Sequence, residues 1–226
     1  LEGDLGMPYV QQWNFNLQQQ FPGQALLPLA YVGTKGVKLR DEVDLNQPRP
    51  GPTAVATRRR YPLYNAIAYT AFHANSNYHG LQATFEKRYS KGLSFQSSYT
   101  WGHNIDDAGI FGGDHQDTLN LRLDRGNSPY DTRHTFVSSF NYELPFARNT
   151  GGVTALIARG WQINGILRLS TGQYLTPNVG PNNLNGAGTQ RANVVPGCDW
   201  KLDNPTPARW FDTSVFSAMP AFTPRT

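Results

Sequence analysis

His103, Asp106, Asp107, Asp114, His115 and Asp117 crowd into one glycine-rich stretch. Carboxylates and imidazoles in such a loop could gather a hard cation such as calcium, which prefers oxygen ligands. Their spacing matches neither an EF-hand nor a zinc signature. A solvated polar loop accounts for the same composition, so no metal is assigned. His73, His79 and His134 stand far apart. The chain has no G-x-S-x-G elbow, phosphate-binding loop or dinucleotide-binding glycine pattern. Its serines and threonines alternate with apolar residues instead of standing beside a base. With neither a motif nor a clustered acid–base set, the chain is expected to carry no catalytic residue, to need no cofactor and not to be an enzyme. Cys198 is the single cysteine, which excludes an intrachain disulfide and a multi-cysteine metal site. It is expected to be an inert loop thiol. Arg58, Arg59 and Arg60 form the basic cluster. With a net charge of only +4, they do not argue for a nucleic-acid partner.

The elements that must position these residues are read from composition and period. Charged residues make up 16% of the 226, low for a water-facing surface. Glycine, proline and aromatic residues are plentiful, which suits strands joined by long ordered loops. No apolar run approaches the roughly 18 residues of a membrane helix, but barrel strands are half polar and escape such a scan. No helical period persists over three turns.

Six segments alternate apolar and small polar residues. A period of two sends successive side chains to opposite faces of a sheet. The clearest pair runs from Leu81 to Glu86 and from Leu93 to Trp101, with Ser90, Lys91 and Gly92 at the turn. The others fall near residues 10–21, 25–33, 134–146 and 161–171, and a weak strand lies near 66–71. Pro28 is expected to interrupt the second ladder or to mark an edge. Long loops are expected over 34–77, 103–133 and 172–226, and short connections at Pro22-Gly23, Lys91-Gly92 and 147–158. Uncharged polar faces and turns alternating short and long point to an antiparallel transmembrane β-barrel segment with long extracellular loops. The expected partner of its apolar face is outer-membrane lipid, with the short connections periplasmic.

Gln82, Thr84, Glu86, Gln96, Ser98, Gln162 and Asn164 are expected to face the lumen. Leu81, Phe85, Phe95, Tyr99, Ile163 and Leu167 are expected to face lipid, with Phe95 near mid-membrane. Tyr31, Tyr78, Tyr89, Tyr99, Trp101 and Trp161 lie near segment ends, where apolar rings with polar tips form interfacial girdles. Six strands fall short of the smallest closed barrels, at roughly eight. Residues 1–226 are therefore expected to be part of a larger barrel. The alternative is a soluble all-β adhesion or carbohydrate-binding module, whose apolar face would pack against a second sheet.

Several motifs, in order, carry a resemblance. They are Pro8-Tyr9-Val10-Gln11-Gln12-Trp13, Ala30-Tyr31-Val32-Gly33, Asp44-Leu45-Asn46-Gln47-Pro48 and Asn75-Ser76-Asn77-Tyr78-His79-Gly80-Leu81-Gln82. Tyr99-Thr100-Trp101, Ile105-Asp106-Asp107, Asp131-Thr132-Arg133-His134 and Tyr142-Glu143-Leu144-Pro145-Phe146 follow. Gly160-Trp161-Gln162-Ile163-Asn164-Gly165 and Arg209-Trp210-Phe211-Asp212-Thr213-Ser214 complete the set. The chain resembles the C-terminal barrel of the Oar-like TonB-dependent receptors over nearly its whole length. The resemblance implies a barrel of about 22 strands closed by an N-terminal plug, and energised import of a bulky nutrient ligand. It implies the TonB system and the plug as partners, through a part ahead of this sequence. The plug, a TonB box and the final strands are expected to lie outside residues 1–226.

Overall fold

A computed structural model describes residues 6–107, 115–145, 151–153, 157, 160–180, 185–186, 188 and 190–222. The alternating segments form β1 (Tyr9–Phe21), β2 (Ala25–Asp44), β3 (Ala68–Ser90), β4 (Leu93–Asp106), β5 (Gly126–Asn127), β6 (His134–Glu143) and β7 (Gln162–Ser170). They make one antiparallel sheet in the order β1-β2-β3-β4-β6-β7, with β5 pairing β4 at its far end. A second, two-stranded sheet joins β8 (Asn193–Val194) to β9 (Phe216–Ser217). The named helical elements among the described residues are short: α1 (Val55–Arg58) and two single 3-10 turns at Leu121–Asp124 and Thr213–Val215.

Neighbouring strands are consecutive and antiparallel, so connections alternate between the two ends of the sheet. One end carries the tight turns. Lys91 and Gly92 both take positive φ, 53° and 85°, the backbone of a two-residue hairpin turn whose twist suits the strands it joins. The opposite end carries the loops 45–67 and 107–133 and the segment after β7.

The register sorts side chains by chemistry. Phe15, Tyr31, Leu81, Trp101 and His134 form one cross-strand row, and Leu17, Leu29, Ala83, Tyr99, Phe136 and Leu169 the next row on the same face. On the other face Asn16, Ala30, Gln82, Thr100, Thr135 and Ser170 align, followed by Thr84, Ser98, Val137 and Arg168. Among the described residues no second layer covers the apolar face. Phe15 is 68% exposed, Ile163 49% and Leu167 52%. In water such a patch would be a large liability; against lipid it is the surface a barrel strand needs.

Three expectations are revised in whole or in part. Residues 34–44 and 72–77 are strand, not loop, and the weak strand expected near 66–71 opens β3: β2 runs for 20 residues and β3 for 23. The charges Lys35, Arg40, Asp41 and Glu42 sit on a paired ladder, and Lys38, with φ 55°, lies in the irregularity between Gly36 and Leu39. Ten residues rise about 34 Å along a strand, or about 25 Å at a tilt near 45°, the height of the apolar band. Counted from the tight-turn end, the band ends near Lys35 in β2 and His103 in β4. Second, Pro28 lies inside a central strand, not at an edge, and interrupts the ladder as expected. It pairs Gln18 in register, and the β2–β3 pairs skip from Leu26 to Leu29, where Pro28 has no N–H to give. Third, Phe95 lies opposite Lys87, two residues from the turn. It belongs near the interface, and the row of Phe85, Ser97, Ser138 and Leu167 lies near mid-depth.

Candidate functional site: an ordered polar platform at the long-loop end

The buried groups of this molecule are mostly polar, and they lie at the long-loop end. Asp41, Asn46, His115, Gln116, Ser128, Asp131 and Gln190 are each at most 2% exposed. Buried polar groups are tolerated when hydrogen-bonded, and here those bonds are what give the loops one shape.

Asn46 anchors the first loop. Its amide nitrogen donates to the carbonyls of Tyr61, Tyr64 and Asn65 at 3.0, 3.0 and 2.7 Å, and its Oδ1 accepts from Tyr61 N at 2.9 Å. Asp44 Oδ1 accepts from the backbone of Asn46 and Ile67, closing the loop base. Gln47 reaches to the second loop, where its Oε1 accepts from Thr118 N at 2.7 Å. Thr118 Oγ1 returns a bond to Asp44 O. Asp131 Oδ1 accepts from Asn104 N at 3.0 Å, and its Oδ2 pairs with Arg133 at 3.1 Å. Arg133 also donates to the Tyr174 hydroxyl and lies over that ring. Asn185 donates to the carbonyls of Gly51 and Thr53. The third loop is thereby fastened to the first.

The centre of the platform is ionic. His115 Nε2 lies 2.8 Å from Asp41 Oδ2, and His115 Nδ1 lies 2.7 Å from Asp124 Oδ2. Arg191 pairs with Asp124 Oδ1 at 2.7 Å and donates to Leu123 O. His73 Nε2 stands 3.0 Å from Asp41 Oδ2. That is close enough for charges to interact, but the atoms are not aligned as a hydrogen bond. Burial disfavours a charged His115, yet its hydrogen bonds to Asp124 and Asp41 outweigh burial and push its pKa up to about 9. Burial works against the Asp41 carboxylate, but the hydrogen bond and charge of His115 hold its pKa below the ordinary value. The loop from 115 to 124 is thus pinned to β2 through a shared proton.

A family model for an outer membrane beta barrel domain matches residues 2–225. The chain belongs to that family. No curated protein and no solved structure matches it. This outer membrane β-barrel domain therefore resides in the outer membrane.

Within the barrel domain, the residues proposed for the lumen share a face. Gln82 pairs with Thr100, Thr84 with Ser98 and Glu86 with Gln96. Asn164 and Gln162 pair with Asn141 and Glu143. Thr84 and Ser98 hydroxyls lie 3.1 Å apart, and Gln162 donates to Glu143 at 3.2 Å. Of the six aromatic residues singled out, Tyr31, Tyr99 and Trp101 stand on the opposite, apolar face. Tyr31 bonds His79 at 2.8 Å and Tyr99 bonds His134 at 2.8 Å, each pair stacked. The two histidines, scattered in sequence, are ring partners in this aromatic row. Tyr78 is placed elsewhere: it lies on the polar face, over Gly80, where a Cβ would strike its ring, and over Gly102, where one would crowd it. It packs along the sheet instead of joining a lipid-facing girdle. Tyr89 bonds Glu143, a residue of the polar face, after a register shift between Lys87 and Ser90. Trp161 marks the tight-turn end, its Nε1 donating to Ile157 O.

The acidic stretch does not act as one cluster. Asp114 lies outside the described residues. His103 meets Asn127, Asp107 holds the backbone and side chain of Asn75, and Asp117 accepts from Leu119 N. Asp106 is raised by burial, against a hydrogen bond from Ser128. His115 turns inward, to Asp124 nearby in sequence and to Asp41, a partner 74 residues earlier that the spacing could not reveal. The motif residues Asn46, Gln47, Asp131 and Asp212 have structural work that the sequence reading did not assign. Asp212 accepts from Ser214 N and Oγ, starting the last 3-10 turn.

Proposed function

We propose that this chain is the wall and outer-loop part of a TonB-dependent receptor that binds a bulky nutrient ligand and imports it across the outer membrane. The observation that supports this most is the platform itself. Three loops are held in one arrangement by Asn46, Gln47, Asp131 and Arg191, above strands that project past the bilayer. A preordered polar surface at the mouth of a barrel suits recognition, because little ordering entropy remains to be lost on binding. The uncharged residues Gln82, Thr84, Gln96, Ser98, Gln162 and Asn164 would line the lumen or contact a plug. The edges β1 and β7 have no strand partner among the described residues. In lipid they need one, and a barrel of about 22 strands would supply it. The TonB system and a plug would be the protein partners, with no nucleic acid and no catalysis.

The uncovered apolar face weighs against the soluble adhesion or carbohydrate-binding reading, which requires a second sheet on that face. The test is growth on, or uptake of, candidate ligands in cells with and without TonB. Loss of uptake without TonB supports the proposal. Passage that continues unchanged would mean a passive pore.

A further inference from the structure

Asp41, His73 and His115 each offer a ligand atom, and the three atoms lie within 4.8 Å of one another. Asp41 Oδ2 stands 3.0 Å from His73 Nε2 and 2.8 Å from His115 Nε2. Donor atoms around a tetrahedral zinc ion, at bond lengths near 2.0–2.1 Å, are about 3.4 Å apart. Small rotations of two imidazoles would therefore open the space for an ion. Two imidazoles and one carboxylate suit a borderline dication of the zinc type better than calcium, which prefers oxygen.

Three further features fit. His115 Nδ1 is held by Asp124 at 2.7 Å, the carboxylate–histidine support that fixes the tautomer of a metal-bound imidazole and raises its basicity. Arg191 balances the charge of Asp124. His73 Nε2 is buried yet has no hydrogen-bond partner, although the ring faces Asp41. A ring so placed does little for the loop as a bare side chain but completes a ligand set. Its side chain is 33% exposed, which leaves a route for the ion and room for a water as fourth ligand.

We propose that Asp41, His73 and His115 form a zinc-type metal site that clamps the 115–124 loop to β2 and β3, with Asp124 as its supporting carboxylate. On binding, the ion replaces the proton between His115 and Asp41, and that proton goes to solvent. His115 keeps its Nδ1 proton, donated to Asp124. The ion then links three segments that are otherwise joined by hydrogen bonds.

The test uses the complete outer-membrane protein carrying this chain, purified in detergent without a histidine tag and stripped with a chelator. Cobalt(II) is titrated as the spectroscopic probe, followed by displacement with zinc. The expected result is one equivalent of cobalt with the intense visible band of four-coordinate geometry, removed by zinc. His73→Ala should abolish the band while leaving trypsin resistance of the loops unchanged, because its ring makes no hydrogen bond there. Asp124→Asn should weaken binding about 10- to 100-fold. No band in the parent protein, or one that persists in His73→Ala, would overturn the proposal. The site does not depend on what the barrel imports, so uptake without TonB would leave it standing.

Discussion

Replacing Leu167 by arginine places a charge on the lipid face near mid-depth. Leu167 pairs with Ser138 and is 52% exposed on a face with no second layer among the described residues. The polar face of the same strand already carries Arg168, one residue away. A charge at the bilayer midplane costs about 2–4 kcal/mol, against about 0–1 near the interface. At about 1.4 kcal/mol per tenfold, Leu167→Arg should lower the folded-to-unfolded ratio by about 30- to 700-fold. Asn164→Arg, on the polar face of β7, should change it less than about fivefold, a cost below about 1 kcal/mol. The assay is urea-dependent folding of the full-length protein into lipid vesicles, read by tryptophan fluorescence and heat-modifiable gel mobility. Equal losses for the two variants would refute the assignment of faces. Phe95→Arg is an internal check: beside Lys87 near the turn, it should cost distinctly less than Leu167→Arg.

Other consequences can be checked in cells. Asn46→Ala removes the hydrogen bonds to Tyr61, Tyr64 and Asn65, each worth about 0.5–1.5 kcal/mol, so trypsin should cut at Arg58, Arg59 or Arg60 on intact cells while the barrel still assembles; unchanged resistance would remove Asn46 from its anchoring role. Cys198 is exposed at the long-loop end, so a membrane-impermeant maleimide should label it on intact cells. A cysteine at Lys91, in a Cys198→Ser background, should react only after permeabilisation, and the reverse pattern would invert the topology. Cys198→Ser should leave uptake unchanged at equal protein level. Gly80→Val should displace Tyr78 from its seat over Gly80 and Gly102 and slow assembly, whereas a Tyr78→Phe change should not.

The wall of the barrel was legible because its signal is local. Alternation in 81–101 and 162–170, and the Pro-Gly and Lys-Gly turns, fix strand, face and turn within a few residues. Extended β2 and β3 were not legible. Lys35, Lys38 and Arg40 look like loop in isolation, and the pairing that keeps them in strand, Arg40 with Phe72 and Glu42 with Thr70, spans a long loop. The platform was hidden for the same reason. Asn46 and Asp131 stood out as motif residues, but their partners are set by the fold of loops. His115 was noticed for the wrong neighbours: Asp106 and Asp107 are close in sequence, whereas Asp41 and His73 are close in space. Tyr78 shows the limit of position alone. The segment read from sequence ends there, as a girdle residue's would, yet Tyr78 lies inside β3 and its parity with Gly80 and Gly102 sends it to the other face.

The most direct test of a lipid-facing wall is a spin-label scan along β4, residues 94–101, and β7, residues 163–169, of the full-length protein in bilayers, with Cys198 replaced. Collision with oxygen, which concentrates in lipid, should peak at Phe95, Tyr99, Ile163 and Leu167. Collision with a water-soluble nickel chelate should peak at Gln96, Ser98 and Asn164. That alternation, with a period of two and opposite phases for the two reagents, is the predicted result. Oxygen access that is low and flat at Tyr99, Ile163 and Leu167 would mean that protein, not lipid, covers the apolar face, and would contradict the account.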